Sequence, residues 1–202
     1  MITKQQLGIL SVFSRDIFTE LTFKQIKTGS GQKSNNVVQI ALKEFKKQGI
    51  ITARRTGNMI TYSLDLNSNL ALAYLNLLNE LEAKSRKFPR EILSEMQKRI
   101  SKYTDFFILI IFGSYAKGKT TEKSDLDIAV IAESEKTRNE ITPYLETIKR
   151  REIARIDYHI FTENEFMDML KSDEENIGKQ VHKNRIIYYG FTEYINLVRR
   201  TK

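Results

Sequence analysis

Apolar residues in the N-terminal third of the chain recur at helical spacing and then give way to a strand-like pattern. Residues 3–13 and 22–28 each carry apolar positions three to four residues apart, which predicts two short helices. Residues 35–48 predict a third helix, because their apolar positions share one face and a glycine follows them. Residues 50–64 contain two β-rich runs around a Gly-Asn turn, so we expect a hairpin after the helices.

A leucine-rich segment follows the hairpin and predicts connecting helices. Residues 69–85 form the first of these, and Pro89 suits the first turn of the next. Leu70, Leu77 and Leu81 are spaced so that they would pack on a partner helix. This stripe has two interpretations, the seam of a homodimer or burial against the chain's own second domain, and the second is favoured.

The last hundred residues contain three segments that are typical of buried strands. Residues 105–112, DFFILIIF, are a nearly continuous apolar run, as expected for a strand buried on both faces. Residues 125–131, DLDIAVI, begin with alternating acidic and apolar positions, and residues 154–161, ARIDYHIF, have a similar pattern. With the helices before them, these strands predict an α+β fold.

The composition excludes several classes of protein. The chain has 202 residues, of which 41% are hydrophobic and 29% charged, so it can bury a core. The absence of cysteine excludes disulfides, thiolate nucleophiles and cysteine-ligated zinc, and two histidines are too few for a histidine-rich metal site. The longest apolar run, residues 106–112, is far shorter than the roughly 20 residues of a membrane span, and the N-terminus is no signal peptide. We therefore expect a cytoplasmic protein without a membrane partner.

The positive charge is concentrated in the first third of the chain. The formal net charge is +8, and residues 1–66 hold ten Lys and Arg against four Asp and Glu. The remainder is close to neutral, with 23 basic and 21 acidic residues. This asymmetry suggests two modules, of which the first faces a polyanion such as nucleic acid. A generally basic soluble protein is the alternative.

Three helices and a basic hairpin in this order resemble the winged helix-turn-helix domain of bacterial and archaeal regulators. The resemblance covers residues 1–66 and depends on the order of the elements. It implies DNA as a partner, with the third helix in the major groove and the hairpin on the backbone or in the minor groove. The implied contacts are Lys33, Ser34, Asn35, Asn36, Gln39, Lys43, Arg54 and Arg55. The alternatives are an ordinary solvated face or a protein-docking module.

A glycine-rich turn directly follows the first buried strand. Gly113, Gly118, Lys119 and Thr120 fit the spacing of the phosphate loop of nucleoside triphosphatases. That loop opens a long helix, and a parallel crossover needs about a dozen residues or more. Only residues 121–124 remain before DLDIAVI, so the spacing argues against a triphosphatase.

The acidic residues of DLDIAVI are the strongest candidates for chemistry. Asp125 and Asp127 alternate with Leu126 and Ile128, so in a strand both carboxylates face one way and the apolar side chains face the core. Two carboxylates about 6–7 Å apart repel each other unless a cation lies between them. With phosphate oxygens and water they suit Mg²⁺, whereas ordinary surface aspartates are the alternative. If ARIDYHIF lies beside this strand, Asp157 completes an acidic triad.

The order of these motifs resembles the signature of the DNA polymerase beta nucleotidyltransferase superfamily. That signature has an apolar strand, a Gly-Ser pair, an Asp-x-Asp motif on a second strand and a later Asp. Gly113-Ser114, Asp125-Leu126-Asp127 and Asp157 match its parts, and the resemblance covers about residues 100–190. The small size resembles the minimal nucleotidyltransferase branch, which is often paired with a helical toxin partner. A winged helix fused to such a nucleotidyltransferase domain resembles a group of proteins that is common in archaea.

The resemblance implies a nucleoside triphosphate substrate, with ATP expected, and two Mg²⁺ ions. Asp125 and Asp127 would hold both ions, and Asp157 would bind the second ion and assist deprotonation of the acceptor. The implied phosphate contacts are Gly113, Ser114 and Lys117.

The sequence as a whole predicts an α+β chain of two domains. We expect a winged helix-turn-helix domain at residues 1–66, a helical connector at 67–103 and a mixed-sheet nucleotidyltransferase domain at 104–202. The expected function is Mg²⁺-dependent transfer of a nucleoside monophosphate to a hydroxyl on a protein or small molecule, with a DNA-binding regulatory arm. The alternative is a DNA-binding transcription regulator or antitoxin-like protein whose second domain senses nucleotide or a partner without turnover.

Overall fold

The computed structural model of the chain describes residues 2–121 and 124–201. Glu122 and Lys123, in the short connection before DLDIAVI, lie outside the described residues. The chain divides into two compact units, unit 1 at residues 1–81 and unit 2 at residues 82–202. Each unit combines helices with a β-sheet, which confirms the expected α+β class. Among the described residues, no helix has both the length and the apolar character needed to cross a bilayer.

Unit 1 is built from short helices and a three-stranded antiparallel sheet. Its strands lie in the order β1-β3-β2, and β2 and β3 form the hairpin expected from the sequence. The elements are α1 (Lys4–Leu10), a 3₁₀ turn (Ser11–Phe13), β1 (Leu21–Thr22), α2 (Phe23–Gly29), α3 (Asn35–Lys47), β2 (Ile51–Thr56), β3 (Met59–Leu64) and the first part of α4 (Asn69–Ser85).

The helices of unit 1 follow the apolar pattern, with one difference at the first. The expected apolar face of α3 is buried in full: Val38, Ala41, Leu42 and Phe45. The sequence predicts one helix over residues 3–13, whereas α1 ends at Leu10 and a 3₁₀ turn follows. The hydroxyl of Ser11 donates to the carbonyl of Gly8, and such local bonds compete with continuation of an α-helix.

Unit 2 contains a four-stranded mixed sheet with helices packed against it. Its strands lie in the order β6-β5-β4-β7, with β5 and β6 parallel and the other neighbours antiparallel. After the end of α4, the elements are α5 (Arg90–Ile100), β4 (Phe107–Ile111), α6 (Gly113–Lys117), β5 (Leu126–Ala132), α7 (Glu135–Arg151), β6 (Ile156–Thr162), α8 (Glu163–Lys171), α9 (Ile177–Lys183), β7 (Ile186–Tyr189) and α10 (Phe191–Arg199).

The core of unit 2 lies around β4 and β5. All five residues of β4 are buried, as its apolar run predicts, although the strand is shorter than residues 105–112. Leu126 and Ile128 of β5 are fully buried, in agreement with the alternation in DLDIAVI. Helix α7 connects β5 to β6, and a crossover of this kind is what allows two consecutive strands to run parallel.

Candidate functional site

Strand pairing brings two of the candidate aspartates together. β5 and β6 are parallel neighbours, and Asp127 lies directly opposite Asp157 in their register. Adjacent strands are about 4.8 Å apart, and paired residues present their side chains on the same face. Asp125 lies two positions before Asp127, immediately before β5 begins, and is exposed. The three aspartates therefore lie at one end of two adjacent strands, as expected if ARIDYHIF pairs with DLDIAVI.

The backbone of the turn after β4 packs closely against Asp127. Gly113 has a φ of 66°, and a Cβ built on it would lie 1.8 Å from Oδ2 of Asp127 and 2.7 Å from its Cγ. The backbone N–H of Ser114 bonds to the Asp127 carboxylate, and the backbone N–H of Phe112 donates to the Asp127 carbonyl at 3.1 Å. Glycine is required here because both the backbone conformation and the carboxylate exclude a side chain. The Gly-Ser turn therefore positions Asp127.

The electrostatics of the site disfavour a lone charged carboxylate. Burial raises the pKa of Asp127, and the negative charges of Asp157 and Asp125 raise it further. The N–H of Ser114 and, more weakly, His159 act in the opposite direction. Nε2 of His159 lies 3.6 Å from Oδ2 of Asp157, on the face that alternation in β6 assigns to both. The aspartates thus form a site of concentrated negative charge that a cation would stabilise.

The donor chemistry of this site fits a magnesium ion bound together with phosphate. Within the described residues, no group of three or more His, Cys, Asp or Glu side chains is arranged to hold a metal on its own. Mg²⁺ is usually bound by one or two carboxylates together with water and substrate phosphates. The neighbouring carboxylates of Asp127 and Asp157 supply such a partial set of hard oxygen donors.

Helix α6 is short and is held at its C-terminal end by a residue that the sequence did not point to. It ends at Lys117, whose side chain is exposed, and Gly118 follows in the left-handed conformation. Such a five-residue helix does not match the long helix of a phosphate loop. Nε of Arg86 donates to the carbonyl of Ala116 at 3.1 Å, and a Cβ at Gly118 would lie 2.6 Å from the Arg86 guanidinium. Arg86 lies 30 positions before its partner, so no local pattern indicates the contact.

The candidate DNA-contacting residues of unit 1 are exposed. Those at and before α3 all lie outside the core, and Ser34 caps the helix by accepting from the N–H of Val37. Arg54 and Arg55 are both exposed on β2, but successive residues of a strand point to opposite faces of the sheet. Nε of Arg55 donates to the carbonyl of Gly57 at the hairpin turn. Gln39 and Lys43 line a cavity between α3 and the neighbouring elements.

Comparison with known proteins found one family and no individual relative. No curated protein and no solved structure matches the chain. The family whose model matches is described as Polymerase beta, Nucleotidyltransferase, and the match spans residues 94–190, slightly under half of the chain. This segment contains the Gly-Ser turn and all three candidate aspartates. The family match therefore supports a nucleotidyltransferase in general, located in residues 94–190.

Proposed function

We propose that unit 2 transfers a nucleoside monophosphate from a nucleoside triphosphate, with ATP the expected donor, to a hydroxyl group of a protein or small molecule. The observation that carries this proposal is the pairing of Asp127 with Asp157 beside the Gly113 turn, within the segment that matches the nucleotidyltransferase family.

In the proposed reaction some side chains of the site act on the donor triphosphate and others on the acceptor hydroxyl. The acceptor oxygen attacks the α-phosphorus, the bond from that phosphorus to the bridging oxygen breaks, and pyrophosphate leaves. Asp157, more exposed than Asp127 and on the edge strand β6, takes the proton of the acceptor hydroxyl. The hydroxyl of Ser114 and the ammonium of Lys117 contact the phosphates. Bound Mg²⁺, held by the aspartates, would neutralise phosphate charge and lower the pKa of the acceptor hydroxyl.

The proposed reaction is tested with ATP labelled at the α-phosphate. Wild-type protein is incubated with Mg²⁺ and a lysate of its host, and labelled acceptors are separated. We expect Asp127→Asn and Asp157→Asn each to abolish labelling. Asp173→Asn, at an exposed position between α8 and α9, is the matched control and should retain it. Labelling that survives in both site variants would refute the assignment of these residues.

Tight nucleotide binding without transfer to any acceptor would instead favour the alternative function. Unit 2 would then be the nucleotide sensor of a DNA-binding regulator or of an antitoxin-like protein with a helical partner. The test of that alternative is binding of nucleotide by the wild type, measured by calorimetry with Mg²⁺ present.

We further propose that unit 1 is a winged helix-turn-helix domain that binds DNA as a regulatory arm. Its support is the excess of basic over acidic residues in 1–66 and the exposure of the polar face of α3 and of the two arginines on the hairpin. The contacts to bases and phosphates are assigned to Lys33, Ser34, Asn35, Asn36, Gln39, Lys43, Arg54 and Arg55. Binding to upstream DNA should weaken with salt and with joint replacement of Arg54 and Arg55 by Ala. Unchanged affinity in that variant would refute the role of the hairpin.

A further inference from the structure

A cavity of about 520 Å³ lies in unit 1 and is lined by none of the residues of the proposed transfer site. Its volume falls in the range of about 300–1,000 Å³ that is usual for small-molecule sites. Three elements supply its walls: α2, α3 and β3. The lining includes two aromatic rings, one amide and three ammonium groups, from Phe23, Tyr62, Gln39, Lys43, Lys46 and Lys47.

The local structure holds these walls in place. Gln39, Lys43 and Lys47 are four residues apart, so they lie on one face of α3 in successive turns. Phe23 is the first residue of α2, whose start is fixed by a capping box between Thr22 and Gln25. Tyr62 is held on the central strand β3, paired with residues of both neighbouring strands. The cavity is therefore preformed by regular secondary structure.

The charge of the cavity is uncompensated. In the described part of unit 1, Lys43, Lys46 and Lys47 form no ion pair with a carboxylate. Glu44, on the same helix, accepts a hydrogen bond from Gln48 instead. Glu20 accepts from the hydroxyl of Thr61. Like charges three and four residues apart on a helix repel each other, so a bound anion would relieve this repulsion.

We propose that this cavity binds a nucleoside phosphate. The rings of Phe23 and Tyr62 would contact the base, since stacking on aromatic side chains accepts any base. The amide of Gln39 both donates and accepts, which suits the edge of a base, and the lysines would hold the phosphate. The site is separate from the one proposed for transfer and requires neither Mg²⁺ nor the aspartates of unit 2.

The position of the cavity gives this ligand a regulatory consequence. Gln39 and Lys43 belong to the residues proposed to contact DNA, so one α3 surface would serve both ligands. A bound nucleoside phosphate would then compete with DNA. This consequence rests on the proposed DNA binding, whereas the occupancy of the cavity does not.

Binding is tested on the full chain with AMP carrying a methylanthraniloyl fluorophore on its ribose. The background is the double variant Asp127→Asn, Asp157→Asn in EDTA, so that the aspartates of the proposed transfer site and any bound metal take no part. Replacement of Lys46 and Lys47 by Ala removes two charged contacts to the phosphate, so affinity should fall at least about tenfold. Replacement of Lys4 and Lys24, which are exposed and outside the cavity, removes the same charge and should have little effect.

Three results would overturn the proposal. The first is no saturable binding of the probe up to about 1 mM, the weak end of specific affinity. The second is an equal loss of affinity in the variant of Lys46 and Lys47 and in the variant of Lys4 and Lys24, which would mean nonspecific attraction of the probe to positive charge. The third is displacement of the probe by inorganic phosphate as effectively as by unlabelled AMP, which would mean that the aromatic walls play no part. Displacement of the probe by AMP but not by phosphate would support the assigned chemistry, and this preference for AMP should be lost in Tyr62→Ala.

Discussion

The contact between Gly113 and Asp127 predicts a large effect for the smallest possible substitution, Gly113→Ala. Gly113 has a φ of 66°, where an L-residue costs about 1–2 kcal/mol relative to glycine. The new Cβ would also lie 1.8 Å from Oδ2 of Asp127, so the carboxylate must move away from the N–H of Ser114. A hydrogen bond to a charged group contributes about 1.5–3 kcal/mol. We therefore expect a total loss of stability in unit 2 of about 2.5–5 kcal/mol.

Gly31→Ala provides the matched control for the backbone term. Gly31 has the same φ of 66°, but a Cβ there would meet nothing within 4 Å. This variant should destabilise unit 1 by about 1–2 kcal/mol only. The difference between the two variants isolates the cost of displacing the carboxylate.

The two effects are measured by hydrogen exchange followed by mass spectrometry in increasing urea, because the two units need not unfold together. Peptides from β5 report unit 2, and peptides from α3 report unit 1. Gly113→Ala should also abolish nucleotidyl transfer at urea concentrations where unit 2 remains folded. If it costs no more than Gly31→Ala and retains transfer, the close approach of turn and carboxylate does not determine the site.

Other predictions concern the residues around the site. Asp127→Asn removes a carboxylate whose pKa is raised by burial and by its acidic neighbours, so it should stabilise unit 2 at neutral pH while abolishing transfer. Urea unfolding should show no gain in stability at low pH, where the carboxyl is protonated. Thr162→Ala should cost about 1 kcal/mol in thermal unfolding, because the hydroxyl caps α8 by accepting from the N–H of Glu165. A second bond at the same cap depends on pH, because the N–H of Thr162 donates to the Glu165 carboxylate and holds its pKa below the ordinary value. The stabilisation from this second bond should be complete above about pH 4.5 and lost as the pH falls further. Arg86→Ala should speed hydrogen exchange in α6, because the carbonyl of Ala116 loses its donor, whereas unchanged exchange would show that the contact does not hold the helix.

Local patterns were sufficient for most of the elements. The continuous apolar run predicted β4, and the Asp-x-Asp alternation predicted that Leu126 and Ile128 of β5 are buried, because both depend only on the period of a strand. Element ends were less accurate. The run of residues 105–112 forms a strand only from Phe107 to Ile111, and Pro89 caps α5 from outside instead of lying in its first turn.

Contacts between distant segments could not be predicted in the same way. The position of Asp157 beside Asp127 was conditional on the pairing of two strands, and the resemblance to a known signature, not the pattern, supplied that pairing. The fit of Asp127 against Gly113 and the bond from Arg86 to Ala116 depend on exact backbone distances. Periodicity carries no information of that kind.

The parallel register of β5 and β6 limits where this chain tolerates changes in length. A slip of one residue in β6 would move every side chain of that strand to the opposite face and turn Asp157 away from Asp127. The start of β6 is set by α7 and the few residues after it, so insertions or deletions there would misplace a candidate catalytic group without touching it. The exposed segment between α8 and α9 sets no such register, and length variation is expected to accumulate there instead.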